Sequence, residues 1–109
     1  MRIISGKYKG KSISFIKTPS TRPLKDSVKE NIFNIISHSN LLNIKIKGAN
    51  VLDLYSGIGS FGLECISREA NNTIFVEKND NVAKILNKNL YNLSASSKAT
   101  VVIEEIKSF

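Results

Sequence analysis

Tryptophan is absent from this 109-residue sequence, and cysteine, histidine and methionine occur once each. With Cys65 as the sole thiol, neither an intrachain disulfide nor a thiolate zinc cluster can form. The one imidazole, His38, sits among Ser37, Ser39 and Asn40 with no partner to position it, so it reads as a surface residue and no metal is expected. Apolar runs are short. The pair Ile3-Ile4 is cut off by Ser5-Gly6-Lys7, far below a signal peptide's apolar region, and nothing approaches the length of a membrane span. A cytoplasmic protein with no membrane partner is the expectation. Proline is scarce too, confined to Pro19 and Pro23.

Acidic residues are missing from the whole stretch Met1 to Lys25, which carries Arg2, Lys7, Lys9, Lys11, Lys17, Arg22 and Lys25. From Asp26 onward the two signs balance, so the net charge of +7 resides entirely in the first quarter. A one-sign segment interleaved with Tyr8 and Phe15 suits a polyanion, with cations for phosphates and aromatic rings for bases. The alternative is a basic arm that only aids solubility.

Residues 2–16 read as a hairpin, turning through Gly6-Lys7-Tyr8-Lys9-Gly10, with Ile13 and Phe15 alternating with Ser12 and Ser14. It is too small to stand alone and must pack on something or order when it binds. Thr18 to Pro23 follows as a linker. The S-x-x-E spacing of Ser27 and Glu30 predicts a capping box opening a helix, with Val28, Ile32, Phe33, Ile35 and Ile36 inward. Leu41 to Gly48 reads as a connector. We expect two parts: residues 1–25 as the basic hairpin arm and linker, and residues 26–109 as a ligand-binding α/β domain.

Beyond Asn50 the pattern becomes strand, helix, strand, helix, strand. Val51 to Tyr55 is a buried-strand run, a helix spans about Phe61 to Arg68, and Thr73 to Val76 is a second strand ending at Glu77. A helix capped by Asn79 or Asp80 buries Val82, Ile85, Leu86 and Leu90, and Thr100 to Ile103 is the third strand. Right-handed crossovers predict a Rossmann-like half-sheet in the order 3-2-1, with the first strand at an open edge.

Gly57-Ile58-Gly59-Ser60-Phe61-Gly62 is a G-x-G-x-x-G between a strand and a helix, with Glu77 twenty residues after Gly57. Glycines permit the sharp turn and close approach of a ligand, and a carboxylate ending the second strand can accept both hydroxyls of a ribose. Asp53 discriminates between ligands. A carboxylate beside the loop repels a pyrophosphate but favours the cationic ammonium and sulfonium of S-adenosylmethionine. Alternatively, Asp53 hydrogen-bonds the loop itself.

Val51-Leu52-Asp53-Leu54-Tyr55-Ser56-Gly57-Ile58-Gly59-Ser60 resembles the first motif of Rossmann-like methyltransferases. Arg2-Ile3-Ile4-Ser5-Gly6, Lys9-Gly10, Thr21-Arg22-Pro23, Asp26, Lys29-Glu30, Ile32-Phe33-Asn34 and Phe75-Val76-Glu77-Lys78 resemble the bacterial 16S rRNA (guanine-N2) methyltransferases of the RsmD type. The resemblance implies methylation of a guanine exocyclic amine in 16S rRNA or the small ribosomal subunit, by a protein that is monomeric when complete. It implies S-adenosyl-L-methionine as cofactor, with Asp53, Ser56, Gly57 and Gly59 at its methionine end, Glu77 on its ribose and Glu105 toward its adenine. Arg2, Lys7, Lys9, Lys11 and Arg22 would contact RNA.

Two departures accompany it. The family carries an Asn- or Asp-Pro-Pro-aromatic tetrapeptide after a fourth strand, and this sequence holds no adjacent prolines. Glu105 stands where a shorter Asp or Asn is usual. The expectation is therefore a chain truncated before strand 4 that carries the donor-binding part but is inactive alone, with no catalytic residue of its own. The competing readings are a non-catalytic RNA-binding remnant and a dinucleotide-dependent oxidoreductase fragment.

Overall fold

The computed structural model describes residues 1–15, 25–39 and 44–104. The linker expected at Thr18 to Pro23, together with Arg22 and Glu105, lies outside them. The elements are α1 (Asp26–His38), β1 (Asn50–Leu54), α2 (Ser60–Ser67), β2 (Asn72–Glu77), α3 (Asp80–Asn92), a 3-10 turn (Ser96–Lys98) and β3 (Ala99–Ile103).

The three strands are parallel, in the order β1-β2-β3, with Asp53 beside Phe75 and Phe75 beside Val101. This is the expected half-sheet, with β1 at an edge among the described residues. Strand alternation sends Asp53, Thr73, Phe75 and Val101 to one face, where α2 and α3 cover them. On that face Phe75 is wholly buried in a cluster with Leu63, Leu86 and Leu90. Leu52, Leu54 and Ile74 point to the other face and are 57%, 37% and 38% exposed. Among the described residues, helices thus cover the sheet on one side only.

The expected hairpin forms, but its strand pairing shrinks to a single antiparallel bridge between Arg2 and Ser12. Backbone bonds from Ile3 to Lys11 and from Ile13 to Met1 flank the bridge, and docking adds to them. Ile3 and Ile13 sink into the main core at 1% and 3% exposure, each burial contributing about 1.5–3 kcal/mol. Its backbone is bound by helix side chains: Glu64 of α2 accepts the N–H groups of Ile4 and Ser5 at 2.9 and 3.0 Å, and Ser67 accepts that of Tyr8 at 2.9 Å. The arm and the α/β layer therefore share one core.

Helix α1 corrects two expectations. Lys25 is its N-cap and no side chain caps it, so Ser27 lies inside the helix and the predicted capping box does not form. Of the residues expected inward, Phe33 is fully buried and Ile32 and Ile36 are half-buried, but Val28 and Ile35 are exposed. The position that joins Phe33 inside is Lys29, one turn earlier and wholly buried. Apolar spacing cannot register a charged residue as interior, because what admits it is a countercharge from another element. Helix α3 follows expectation: Asn79 caps it by accepting the N–H groups of Asn81 and Val82, and Val82, Leu86 and Leu90 are buried.

Candidate donor-binding site

Beyond Leu54 the chain enters the left-handed region at Tyr55 (φ 55°), an unusual state for a non-glycine residue, and returns through Gly57 (φ 56°) and Gly59 (φ 94°) into α2. A Cβ at Gly59 would strike the Leu86 side chain, and one at Gly62 would strike the Phe75 ring, so these two glycines bring the loop and helix against the sheet and α3. A Cβ at Gly57 would meet nothing within 4 Å, so there the loop faces open space. The three glycines of the motif have different tasks: the first leaves room, and the others permit close packing.

Two carboxylates bracket this loop. Asp53 accepts the N–H of Gly62 at 3.2 Å, and Glu77 accepts that of Gly57 at 3.1 Å and that of Asn79 at 2.8 Å. The first and last glycines of the motif are thus each held by an acid from an adjacent strand. Both readings of Asp53, as a loop partner and as a ligand group, start from this geometry. Ser56 is turned inward, its hydroxyl donating to the Val76 carbonyl at 3.2 Å, which ties the loop to β2.

Burial drives the Asp53 carboxyl up from the usual 3.8 to about 6, while the Gly62 N–H opposes the rise. Among the described residues no Lys or Arg pairs with it. A cation delivered to this spot would gain an interaction that no described Lys or Arg supplies. Cys65, on α2, is pushed up to about 12 by burial and by the charges of Asp53 and Glu64, leaving an inert thiol.

Of the residues assigned to RNA, Arg2, Lys7, Lys9 and Lys11 are exposed, and Arg22 lies outside the described residues. Lys11 lies across the arm from the strand that carries Arg2, its carbonyl accepting the Ile3 N–H at 2.9 Å. Arg2 lies near the start of α1, 3.5 Å from Asp26, whereas the turn carrying Lys7 and Lys9 is bonded to Ser67, the last residue of α2. An eight-residue helix separates that turn from the glycine loop by about 12 Å. Tyr8 is half-buried against the core with Lys7 over its ring at 5.5 Å, while Phe15 is 44% exposed.

Sequence reasoning missed the polar network beneath the loop. Lys29 meets Glu64 at 3.2 Å, both wholly buried, and donates to the Arg2 carbonyl and the Ser60 hydroxyl. Arg68 closes the other side of Glu64 at 3.0 Å and stacks on Phe33. Asn89, also buried, is bonded to Ser14 and Ile58. Lys29 figures in the sequence only among the residues that carry the resemblance, and neither its spacing nor that of Asn89 marks it as interior.

The comparisons follow the same lines. A Haemophilus influenzae protein named ribosomal RNA small subunit methyltransferase D is 36% identical over 105 residues, 96% of this chain and 51% of that protein. The Escherichia coli K12 protein of the same name is 35% identical over all 109 residues and 52% of its own length. The solved structure of the Escherichia coli protein yhhF superposes with a TM-score of 0.79 at 33% identity, covering 95% of this chain and 52% of that one. A structure of a Thermus thermophilus protein gives 0.77 at 25% identity, covering 97% and 56%. The chain spans about half the length of the curated relatives it matches. Among the described residues no helix is long and apolar enough to cross a membrane, and no group of three or more His, Cys, Asp or Glu could hold a metal ion. The family model described as Conserved hypothetical protein 95 matches residues 1–109 from end to end, and the chain belongs to that family, on a Rossmann-like methyltransferase fold.

Proposed function

We propose that this chain is the donor-binding part of an S-adenosylmethionine-dependent methyltransferase whose substrate is small-subunit ribosomal RNA and whose acceptor is a guanine exocyclic amine. One observation carries the choice of ligand. Two carboxylates flank the loop, Asp53 on the Gly62 N–H and Glu77 on the Gly57 N–H, and no described Lys or Arg pairs with Asp53. A pyrophosphate there would meet like charge, whereas a cationic, phosphate-free ligand meets them favourably. The names of the curated relatives agree with this reading.

S-adenosylmethionine supplies an electrophilic methyl group on a sulfonium. The residues here bind and orient it: Asp53 toward the positive end, Ser56 holding the turn on β2, the backbone at Gly57 leaving the space, and Gly59 bringing the loop in against α3. Glu77 has two lone pairs on each oxygen and can receive ribose hydroxyls while keeping its amide partners. Glu105 is assigned to the adenine. Arg2, Lys7, Lys9, Lys11 and Arg22 engage RNA phosphates. Pro19 and Pro23 are not adjacent, so the acceptor-orienting Pro-Pro-aromatic tetrapeptide is not among these 109 residues and they are not expected to transfer methyl groups alone.

Calorimetric titration of the chain with S-adenosylhomocysteine and with NAD tests the ligand. The expected result is binding of the first alone, weakened about 10- to 100-fold in Glu77→Ala, the loss of a hydrogen-bonded charged group. Binding of NAD without binding of S-adenosylhomocysteine would overturn the proposal.

A further inference from the structure

The arm and the glycine loop are joined by two buried side chains. Asn89 on α3 accepts the N–H of Ser14 at 2.8 Å, donates to the Ser14 carbonyl at 2.9 Å, and donates to the Ile58 carbonyl at 3.1 Å. Lys29 on α1 donates to the Arg2 carbonyl at 3.0 Å and to the Ser60 hydroxyl at 3.3 Å, with Glu64 neutralising it. Ser14 and Arg2 belong to the two strands of the arm, next to its single bridge at Arg2 and Ser12. Ile58 and Ser60 flank Gly59. Each strand of the arm is thus tied to one side of the same glycine, through a side chain that is 0–2% exposed.

The loop has little room to accommodate a displaced tether. Gly59 sits at φ 94° against Leu86 and Leu63, and both ends of the motif are held by carboxylates. The arm is held by cross-strand backbone bonds from Ile3 to Lys11, Gly10 to Ile3 and Ile13 to Met1, by Glu64 and Ser67 on Ile4, Ser5 and Tyr8, and by the burial of Ile3 and Ile13; among the described residues the two tethers are its hydrogen-bonded links to the glycine loop. A ligand that fixes either partner limits the freedom of the other, and the second ligand then meets a surface already ordered.

Resting on the function proposed above, we infer that Asn89 and Lys29 are positioning residues that couple RNA bound on the basic arm to donor bound at the glycine loop, each ligand tightening the other. Linkage makes the effect reciprocal: the factor by which RNA improves donor affinity equals the factor by which donor improves RNA affinity. Neither side chain needs to touch either ligand.

The experiment is a calorimetric cycle on the chain as it stands, with S-adenosylhomocysteine titrated in the absence and presence of a saturating short RNA stem-loop, and the stem-loop titrated with and without S-adenosylhomocysteine. The unsubstituted chain should show about fivefold or greater tightening, equal in the two directions, at the lower end of usual coupling energies. Asn89→Leu, which keeps the branching and the number of heavy atoms and removes the carboxamide, should bring the ratio within about twofold of one, a negligible coupling on that scale. Lys7→Gln with Lys9→Gln should weaken RNA binding yet leave the ratio intact, since phosphate contacts are not the tether. Should Asn89→Leu fail to fold, the reciprocal measurement on the unsubstituted chain still decides. Both ligands binding with no mutual effect would overturn the coupling alone, whereas failure of S-adenosylhomocysteine or of RNA to bind at all would overturn the proposed function and the coupling with it.

Discussion

Glu77, the last residue of β2, accepts the backbone N–H of Gly57 at 3.1 Å, and its second oxygen accepts that of Asn79 at 2.8 Å. One carboxylate therefore fixes both the glycine turn after β1 and the N-cap of α3. A site residue read from sequence as a ribose acceptor is also a strut of the loop itself. Glu77→Gln should separate the two roles. The amide replaces one acceptor oxygen with a donor facing a backbone N–H, so stability should fall by about 1–3 kcal/mol in urea unfolding. An unchanged midpoint would show that the two bonds contribute nothing in solution.

Asp53 should make the fold pH-sensitive in a stated direction. Its folded value of about 6 exceeds the usual 3.8, so the folded chain binds more protons between those values. The stability this contributes is complete below about pH 3.8 and is lost as pH rises through about 6. Asp53→Asn keeps an acceptor for Gly62 and removes the titration, so the difference in melting temperature between variant and parent should grow from about pH 4 to about pH 7 in the variant's favour. Parallel pH profiles would contradict the buried, unpaired carboxylate. Binding of S-adenosylmethionine should run the opposite way, strengthening in the parent as Asp53 ionises and staying flat in the variant.

The buried pair should dominate the charged interactions. Lys29→Met leaves Glu64 buried with only part of its countercharge and strips a donor from the Arg2 carbonyl, so a loss of about 3–5 kcal/mol is expected. Lys47→Ala, which removes the exposed pair with Glu69, should cost less than about 1 kcal/mol. Urea denaturation of the two variants side by side checks the contrast; equal losses would mean that burial of the pair is not what the geometry implies.

The glycines of the motif should not be equivalent. Gly59→Ala meets Leu86 and a left-handed φ together, and Gly62→Ala meets the Phe75 ring, so each should destabilise by several kcal/mol, through overpacking at both and added backbone strain at Gly59. Gly57→Ala meets no neighbour and should cost about 1–2 kcal/mol of backbone strain while intruding on the ligand's space. Thermal melts together with S-adenosylhomocysteine titration should place Gly57→Ala as the mildest for stability and a strong loss for binding.

The uncovered sheet face has a measurable signature. Leu52 and Ile74 lie side by side there, on β1 and β2, and both are exposed. Leu52→Lys with Ile74→Lys should lower binding of a fluorescent apolar dye and raise solubility while shifting stability by less than about 0.5 kcal/mol per site, as exposed substitutions do. A large loss of stability would mean that these side chains are packed in solution.

The order of strands and helices was legible in the sequence because each reports itself locally: β1 and β2 as short apolar runs, α3 as an apolar stripe behind an Asn cap, and the loop as glycines between them. The site residues Asp53, Ser56, Gly57, Gly59 and Glu77 converge on one loop, since the strand-turn-helix connection that the motif encodes leaves them little choice. Helix α1 was legible as a helix but not in its orientation. Its inward face is set by Glu64, thirty-five positions beyond Lys29, and no window along the chain contains both.

The sequence by itself determined the parallel half-sheet, the glycine loop with its two acids and the concentration of positive charge in the first quarter, because spacing, residue type and charge are properties of the chain read in order. Only the tertiary structure decided that Lys29, Glu64 and Asn89 are interior, that the amides of Gly57 and Gly62 are already occupied, and that both strands of the basic arm are tied to the loop around Gly59. Those are contacts between residues 9 to 75 positions apart, and a buried polar group is tolerated only where a distant element brings its partner.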